Sequence, residues 1–174
     1  MLHLGSGEQR LSSDEGGRVV RVDRVPETRP DVVWDLDRFP YPFDDASFDA
    51  IDLTDVIEHL HDIVRVMEEL HRLGRPGARI HIATPHFSCA NSFTDPTHVH
   101  HLGVSSFDYF TSEHRLGFYT RVRFAKRRAE ILFHPGLVNK VIRRIARRWP
   151  EWYEHRLTWI FPAWFLSFEL EVLK

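Results

Sequence analysis

Cysteine is almost missing from this chain: among 174 residues there is one, Cys89. A lone cysteine excludes an intramolecular disulfide and a multi-cysteine zinc site. Long apolar runs are missing too. No uninterrupted stretch approaches the ~20 residues needed to span a bilayer. The opening Met1-Leu2-His3-Leu4-Gly5 has neither the basic region nor the apolar core of a secretory leader. Hydrophobic residues at 43% and charged residues at 28% lie near soluble globular averages, which argues against a disordered chain. The length is about one domain's worth, enough to bury roughly 70% of the extended surface. The expectation is a soluble, cytoplasmic, single domain over residues 1–174.

The net charge of −2 hides a strong asymmetry. Residues 1–114 carry ten Lys/Arg against twenty Asp/Glu, whereas residues 115–150 carry eleven basic groups and one acid, Glu130. Such a split bears on partners and solubility rather than on fold.

Short apolar runs closed by Gly, Pro or Asp mark strands at Met1–Leu4, Arg18–Val22, Asp31–Asp35, Phe48–Leu53 and Ala78–Thr84. Between the last two, Ile63, Val64, Met67, Leu70 and Leu73 fall at helical spacing. Asp62 caps that helix, and Gly74 with Pro76-Gly77 stops it. Strands joined by long crossovers predict an α/β fold with a mostly parallel, covered sheet. Further on, the run Thr120–Phe133 leans towards β but is broken by Lys126-Arg127-Arg128. Gly136–Trp149 reads as a basic amphipathic helix ended by Pro150, and Phe165–Leu173 alternates as a closing strand.

Three consecutive strand ends carry chemistry. The first closes with Gly5-Ser6-Gly7, a turn that lets the backbone approach a ligand at the carboxyl edge where open α/β sheets bind. The second ends at Asp23, an acid placed to accept both ribose hydroxyls of a nucleoside. The third ends in Trp34-Asp35-Leu36, a second carboxylate on the same edge.

With these ends in view, residues 4 to about 110 resemble the class I S-adenosylmethionine-dependent methyltransferases, of the small bacterial type 11 group. The segments that carry the resemblance are Leu-Gly-Ser-Gly at 4–7, Val-Asp at 22–23, and the run from Asp35 to Asp49 with its Pro-Phe-Asp-Asp-Ala-Ser-Phe-Asp end. They continue with Asp-Val-Ile-Glu-His-Leu at 55–60, the Pro-Gly turn at 76–77 and Thr84-Pro85-His86-Phe87. The resemblance implies a Rossmann-like sheet of seven strands in the order 3-2-1-4-5-7-6, the last antiparallel. It makes residues 1–85 the cofactor-binding half and 86–174 the acceptor-pocket segment, basic helix and closing strands. It places Gly5 and Gly7 beneath the methionine part of S-adenosylmethionine, Asp23 at the ribose, Asp35 and Leu36 at adenine, and Leu53 and Thr54 near the sulfonium. His3 stands where the family carries an acid, and Ser6 and Glu8-Gln9 where it carries cysteine or a third glycine. The function implied is methyl transfer to oxygen or nitrogen of a small-molecule acceptor. The alternatives are a metal-assisted RNA 2′-O-methyltransferase and a non-catalytic protein of the same fold.

A base is needed where the acceptor arrives protonated, and His59 is the candidate. The plainer reading has Glu58 and His59 cap the next helix. His98, in the acceptor segment with Phe93, Asp95, His100, His101, Phe107, Tyr109 and Phe110, is the second candidate catalytic residue. Those aromatics also suit a core beneath a loop. The main expectation includes no metal. If residues 55–59 form one helical turn, Asp55, Glu58 and His59 share a face and suit a divalent ion, with His86 or a histidine of the 95–101 run completing the set. That turn resembles the one in metal-assisted 2′-O-methyltransferases of small RNAs and some ubiquinone-pathway O-methyltransferases. The basic helix Lys140–Arg148 reads as a solvated face, a nucleic-acid contact, or a membrane-surface contact aided by Trp149, Trp152, Trp159 and Trp164. Oligomeric state is left open.

Overall fold

A computed structural model describes residues 1–12, 17–112 and 120–174. Seven strands form one sheet: β1 (Leu2–Leu4), β2 (Val20–Asp23), β3 (Val32–Val33), β4 (Phe48–Thr54), β5 (Gly74–Pro85), β6 (Arg123–Leu132) and β7 (Phe165–Leu173). Their order is β3-β2-β1-β4-β5-β7-β6. The first five are mutually parallel, and β7 runs antiparallel to both β5 and β6. Among the described residues the α-helices are α1 (Ile63–Leu73), α2 (Asn91–Thr94), α3 (Leu137–Arg148) and α4 (Pro150–Arg156).

The two sheet faces differ because strand side chains alternate. On one, Leu2, Leu4, Ile51, Leu53, Ile80, Ile82, Phe168 and Leu170 sit side by side across four strands. They share a hydrophobic cluster with Val66, Met67, Leu70 and Leu73 of α1. Full burial of each such side chain stabilises by about 1.5–3 kcal/mol. On the other face a polar row crosses five strands, Arg21, His3, Asp52, His81 and Glu169, each the register partner of the next. His81 Nδ1 lies 2.6 Å from Asp52 Oδ2, and the buried His3 Nε2 lies 3.8 Å from Asp52 Oδ1.

Several boundaries differ from those the sequence suggests. β2 begins at Val20 rather than Arg18, and β3 contracts to two residues. β5 begins at Gly74, because Gly74 pairs with Phe48 across an irregular register. The cations at 126–128 do not break β6. A register shift between Lys126 and Arg128 absorbs them, and they pair with Asp108, Glu171 and Glu130. Charge on an edge strand of this kind discourages pairing with another chain. Pro150 ends α3 and opens α4 at once, its fixed φ and missing N–H being tolerated at a first helical turn.

Asp62 caps α1 by accepting the Arg65 N–H at 3.0 Å, as its position suggests. The turn at 55–59 departs from expectation. Only Ile57–His59 is helical, of the tight 3-10 kind, and Asp55 has φ of 55°. Asp55 therefore does not share a helical face with Glu58 and His59. Among the described residues no helix is long and apolar enough to cross a membrane.

Candidate active site

After β1 the chain turns through Gly5 and Gly7, with φ of 62° and 47°. A Cβ on Gly5 would lie 2.3 Å from Val56 Cγ2, so both space and backbone angle require glycine there. The Gly7 N–H donates to Asp23 Oδ2 at 2.7 Å, and the Val25 N–H to Oδ1 at 2.9 Å. A carboxylate accepts about four hydrogen bonds, so Asp23 keeps capacity for hydroxyl donors.

The next strand end is held from below. Arg72 grips the Glu69 carboxylate with two nitrogens, each at 2.8 Å, and donates to the carbonyls of Tyr41 and Phe43. The Tyr41 hydroxyl in turn donates to the Leu36 carbonyl at 2.9 Å. This chain of contacts fixes Asp35 and Leu36 at the rim of a cavity of about 170 Å³ that Gly5 and Asp23 also line.

A second cavity of about 580 Å³ opens beside the first, lined among others by Pro85, Asn91, Asp95, His98 and Phe165. The two cavities share Asp55 and His59. Asp55 stands there in the left-handed region, its N–H bonded to the Ala83 carbonyl at 3.0 Å. Such backbone at the seam of two cavities is characteristic of functional positions. Burial pushes the Asp55 carboxyl up, against the opposing pull of His59 and His98.

The loop after α2 is laid over the 57–59 turn by main-chain bonds. The Glu58 carbonyl accepts the N–H groups of Val99 and His100 at 2.9 and 3.2 Å. Thr97 Oγ1 lies 2.9 Å from His59 Nδ1, and the rings of His59 and His98 meet edge to face at 4.6 Å. The Glu58 carboxylate is buried beneath them. Burial raises its pKa, while its own backbone and the Thr84 hydroxyl at 3.0 Å oppose the rise.

The structure thus gathers Gly5, Asp23, Asp35 and Leu36 at one cavity, His98 at the other, and His59 at both. Gly7 joins through Asp23. Leu53 is wholly buried and the Thr54 hydroxyl turns to Asp52 at 3.1 Å, while Asp55 and Val56, next along the chain, line the smaller cavity. His86 does not join the metal candidates. It is fully buried, and its ring nitrogens are taken by Ser88 at 2.8 Å and Glu154 at 3.1 Å. Of the acceptor-segment residues, Asp95 and His98 line the larger cavity, whereas Phe107 and Phe110 are core. Residues 113–119 of that segment lie outside the described residues. Asn91 and Phe165 were not legible as site residues, since neither has a local signal and Phe165 arrives from the far end of the chain. The cations of α3 are exposed and, among the described residues, without acidic partners.

The sheet order and the edge site together define a class I methyltransferase architecture. A family model described as a methyltransferase domain matches residues 2–82, a little under half of the chain. Solved structures agree on the fold. An S-adenosylmethionine-dependent methyltransferase from Archaeoglobus fulgidus is 18% identical, with TM-score 0.66 over 98% of this chain and 84% of its own. One from Mesorhizobium loti is 17% identical, with TM-score 0.60 over 98% and 89%. The cyclase SpnF is 14% identical, with TM-score 0.65 over 99% and 73%. No curated protein gives a significant match.

Proposed function

We propose that this chain binds S-adenosylmethionine along the 170 Å³ cavity and transfers its methyl group to an oxygen or nitrogen of a small molecule in the 580 Å³ cavity. One observation carries the reading: Asp55 and His59 line both cavities, so donor and acceptor sites meet at those two side chains. The family supplies the cofactor, whose sulfonium is the methyl donor when bound. The residues present fit it, because Asp23 has free acceptor capacity beside an open Gly7.

This chain's own residues then bind and orient. Gly5 and Gly7 let the backbone come close, Asp23 takes the ribose hydroxyls, and Asp35 and Leu36 border the base. Holding two reactants in line supplies much of the acceleration of such a displacement. His59 removes the acceptor proton at its Nε2, since its Nδ1 is engaged by Thr97. His98 packs against it and completes the wall.

The SpnF likeness shows that the fold alone does not decide the reaction. The test is therefore direct. Calorimetric titration with S-adenosylhomocysteine should give saturable binding, and a flat titration overturns the cofactor reading. Incubation with methyl-labelled S-adenosylmethionine and a panel of phenols, sugars and amines should label an acceptor. His59→Ala should then slow transfer by about 10²–10⁴-fold, and an unchanged rate removes His59 from the role.

A further inference from the structure

We propose that Glu58, His59 and His98 form a binding site for one divalent transition-metal ion at the floor of the larger cavity, and that the ion takes the acceptor's hydroxyl oxygen. With the ion bound, His59 Nε2 is a ligand, and the ion replaces it as the group that activates the hydroxyl. The placement rests on the acceptor-cavity reading above, whereas the site itself does not.

The starting point is an orphaned atom. Glu58 is 2% exposed; its Oε2 accepts the Thr84 hydroxyl, while its Oε1 is buried without any hydrogen-bond partner. Leaving a buried charged acceptor unpaired is costly. The groups that face it are imidazoles that do not reach it: His98 Nε2 lies 4.0 Å from Glu58 Oε1. That gap is too long for a hydrogen bond. Two ligands of one tetrahedral ion, each at about 2.0–2.2 Å, stand about 3.3–3.6 Å apart, so closing the gap by about half an ångström seats both on one ion. One ligand atom from each of Glu58, His59 and His98 lies within 4.8 Å of the others.

The neighbours set the tautomers. His98 Nδ1 lies 3.3 Å from the Ser92 carbonyl, which can only accept, so that nitrogen carries the proton and Nε2 is bare. The Thr97 hydroxyl gives its own proton to Asp95 Oδ1 at 2.7 Å. It therefore accepts from His59 Nδ1, and His59 Nε2 is bare as well. Metal-binding histidines are held in this way, the far nitrogen donating to a carbonyl or hydroxyl. Thr84 does the same for the carboxylate. Asp95 Oδ2, 3.9 Å from His98 Nε2, stands by as a further oxygen. Two imidazoles and one carboxylate suit zinc, cobalt, manganese or iron(II) better than magnesium, which prefers oxygen alone. Three protein ligands leave a position open to the cavity. A hydroxyl bound there has its O–H bond polarised and gives up its proton at lower pH. The acceptor class that follows is an alcohol, phenol or catechol.

The chelator-stripped protein is titrated with Co²⁺, read by visible d–d absorption, and then with Zn²⁺ by calorimetry, with neither S-adenosylmethionine nor acceptor present. The expected result is one ion per chain, with Zn²⁺ displacing Co²⁺. Glu58→Gln and His98→Asn should each weaken binding by about 100-fold, and Thr84→Val by about tenfold. Absence of stoichiometric binding to the wild type overturns the site, as does equal affinity in folded Glu58→Gln and His98→Asn. Thr84→Val keeps the comparison available if a ligand variant does not fold. S-adenosylhomocysteine titrated into the same samples separates the two readings: metal without nucleoside binding leaves the site and removes the methyltransferase, and the reverse does the opposite.

Discussion

Asp23 accepts the backbone N–H of Gly7 at 2.7 Å, so the acid closing β2 and the glycine turn after β1 are one hydrogen-bonded unit. Asp23→Ala should do two things at once. It frees the Gly7 and Val25 N–H groups and removes the ribose acceptor. Binding of S-adenosylhomocysteine should weaken by about 10–100-fold, since hydrogen bonds to charged groups contribute about 1.5–3 kcal/mol each. Unchanged affinity would remove Asp23 from the site.

The contact of Gly5 with Val56 gives a second expectation. Gly5→Ala meets Val56 Cγ2 at 2.3 Å and places an L-residue at φ of 62°. Left-handed backbone and overpacking together cost about 2–4 kcal/mol. Thermal unfolding should fall by about 2–4 °C for each kcal/mol. The double variant with Val56→Ala relieves the clash but not the backbone, and should recover only part of the loss. Full recovery would show that φ contributes nothing.

Acid should loosen the loop that carries Asp35 and Leu36. Burial alone would raise Glu69, but the Arg72 fork and the Tyr41 N–H outweigh it and hold its pKa below the ordinary 4.5. A depressed carboxylate stabilises fully above its unfolded pKa, and that contribution disappears as pH falls through the folded value. Stability measured in denaturant should therefore drop below about pH 4.5, the ordinary value. Glu69→Gln should be less stable at neutral pH and show a shallower acid limb. An equally steep limb in the variant would assign acid unfolding elsewhere.

The polar sheet face responds in the opposite direction. The hydrogen bond to Asp52 raises the His81 pKa above 6.5, with burial opposing and the charges of Asp52 and Glu169 assisting. A raised histidine contributes fully below its unfolded pKa, and that stability is lost as pH climbs through the folded value. The His81 side chain is about half-exposed, so solvent screening limits the pair to about 1 kcal/mol or less. Wild type should thus lose a little stability on going from below pH 6.5 to alkaline pH. Asp52→Asn should flatten most of that slope, leaving only the smaller contribution of Glu169. NMR titration of His81 gives the check: a midpoint at or below 6.5 would contradict the pairing.

Local chemistry made much of the fold legible. Apolar runs closed by Gly, Pro or Asp locate the strands, helical spacing with Asp62 and Gly74 brackets α1, and Gly5, Asp23 and Asp35 mark one edge of the sheet because each ends a strand. The sheet order followed from the resemblance carried by residues 4 to about 110 and stands in the structure. What sequence could not decide depends on contacts between distant segments. A bulge against β7 keeps Lys126–Arg128 inside β6, although locally they look like an interruption. The left-handed Asp55 breaks the supposed helical turn and sends that acid to the seam between cavities. His86 and His98 are equally plausible ligands in one dimension. Glu154, from α4, claims the first, while the Glu58 carbonyl pins the loop that brings the second to its carboxylate. Sequence by itself determined which side chains end each strand. Only tertiary packing decided which of them face one another, because cavity walls are assembled from residues dozens of positions apart.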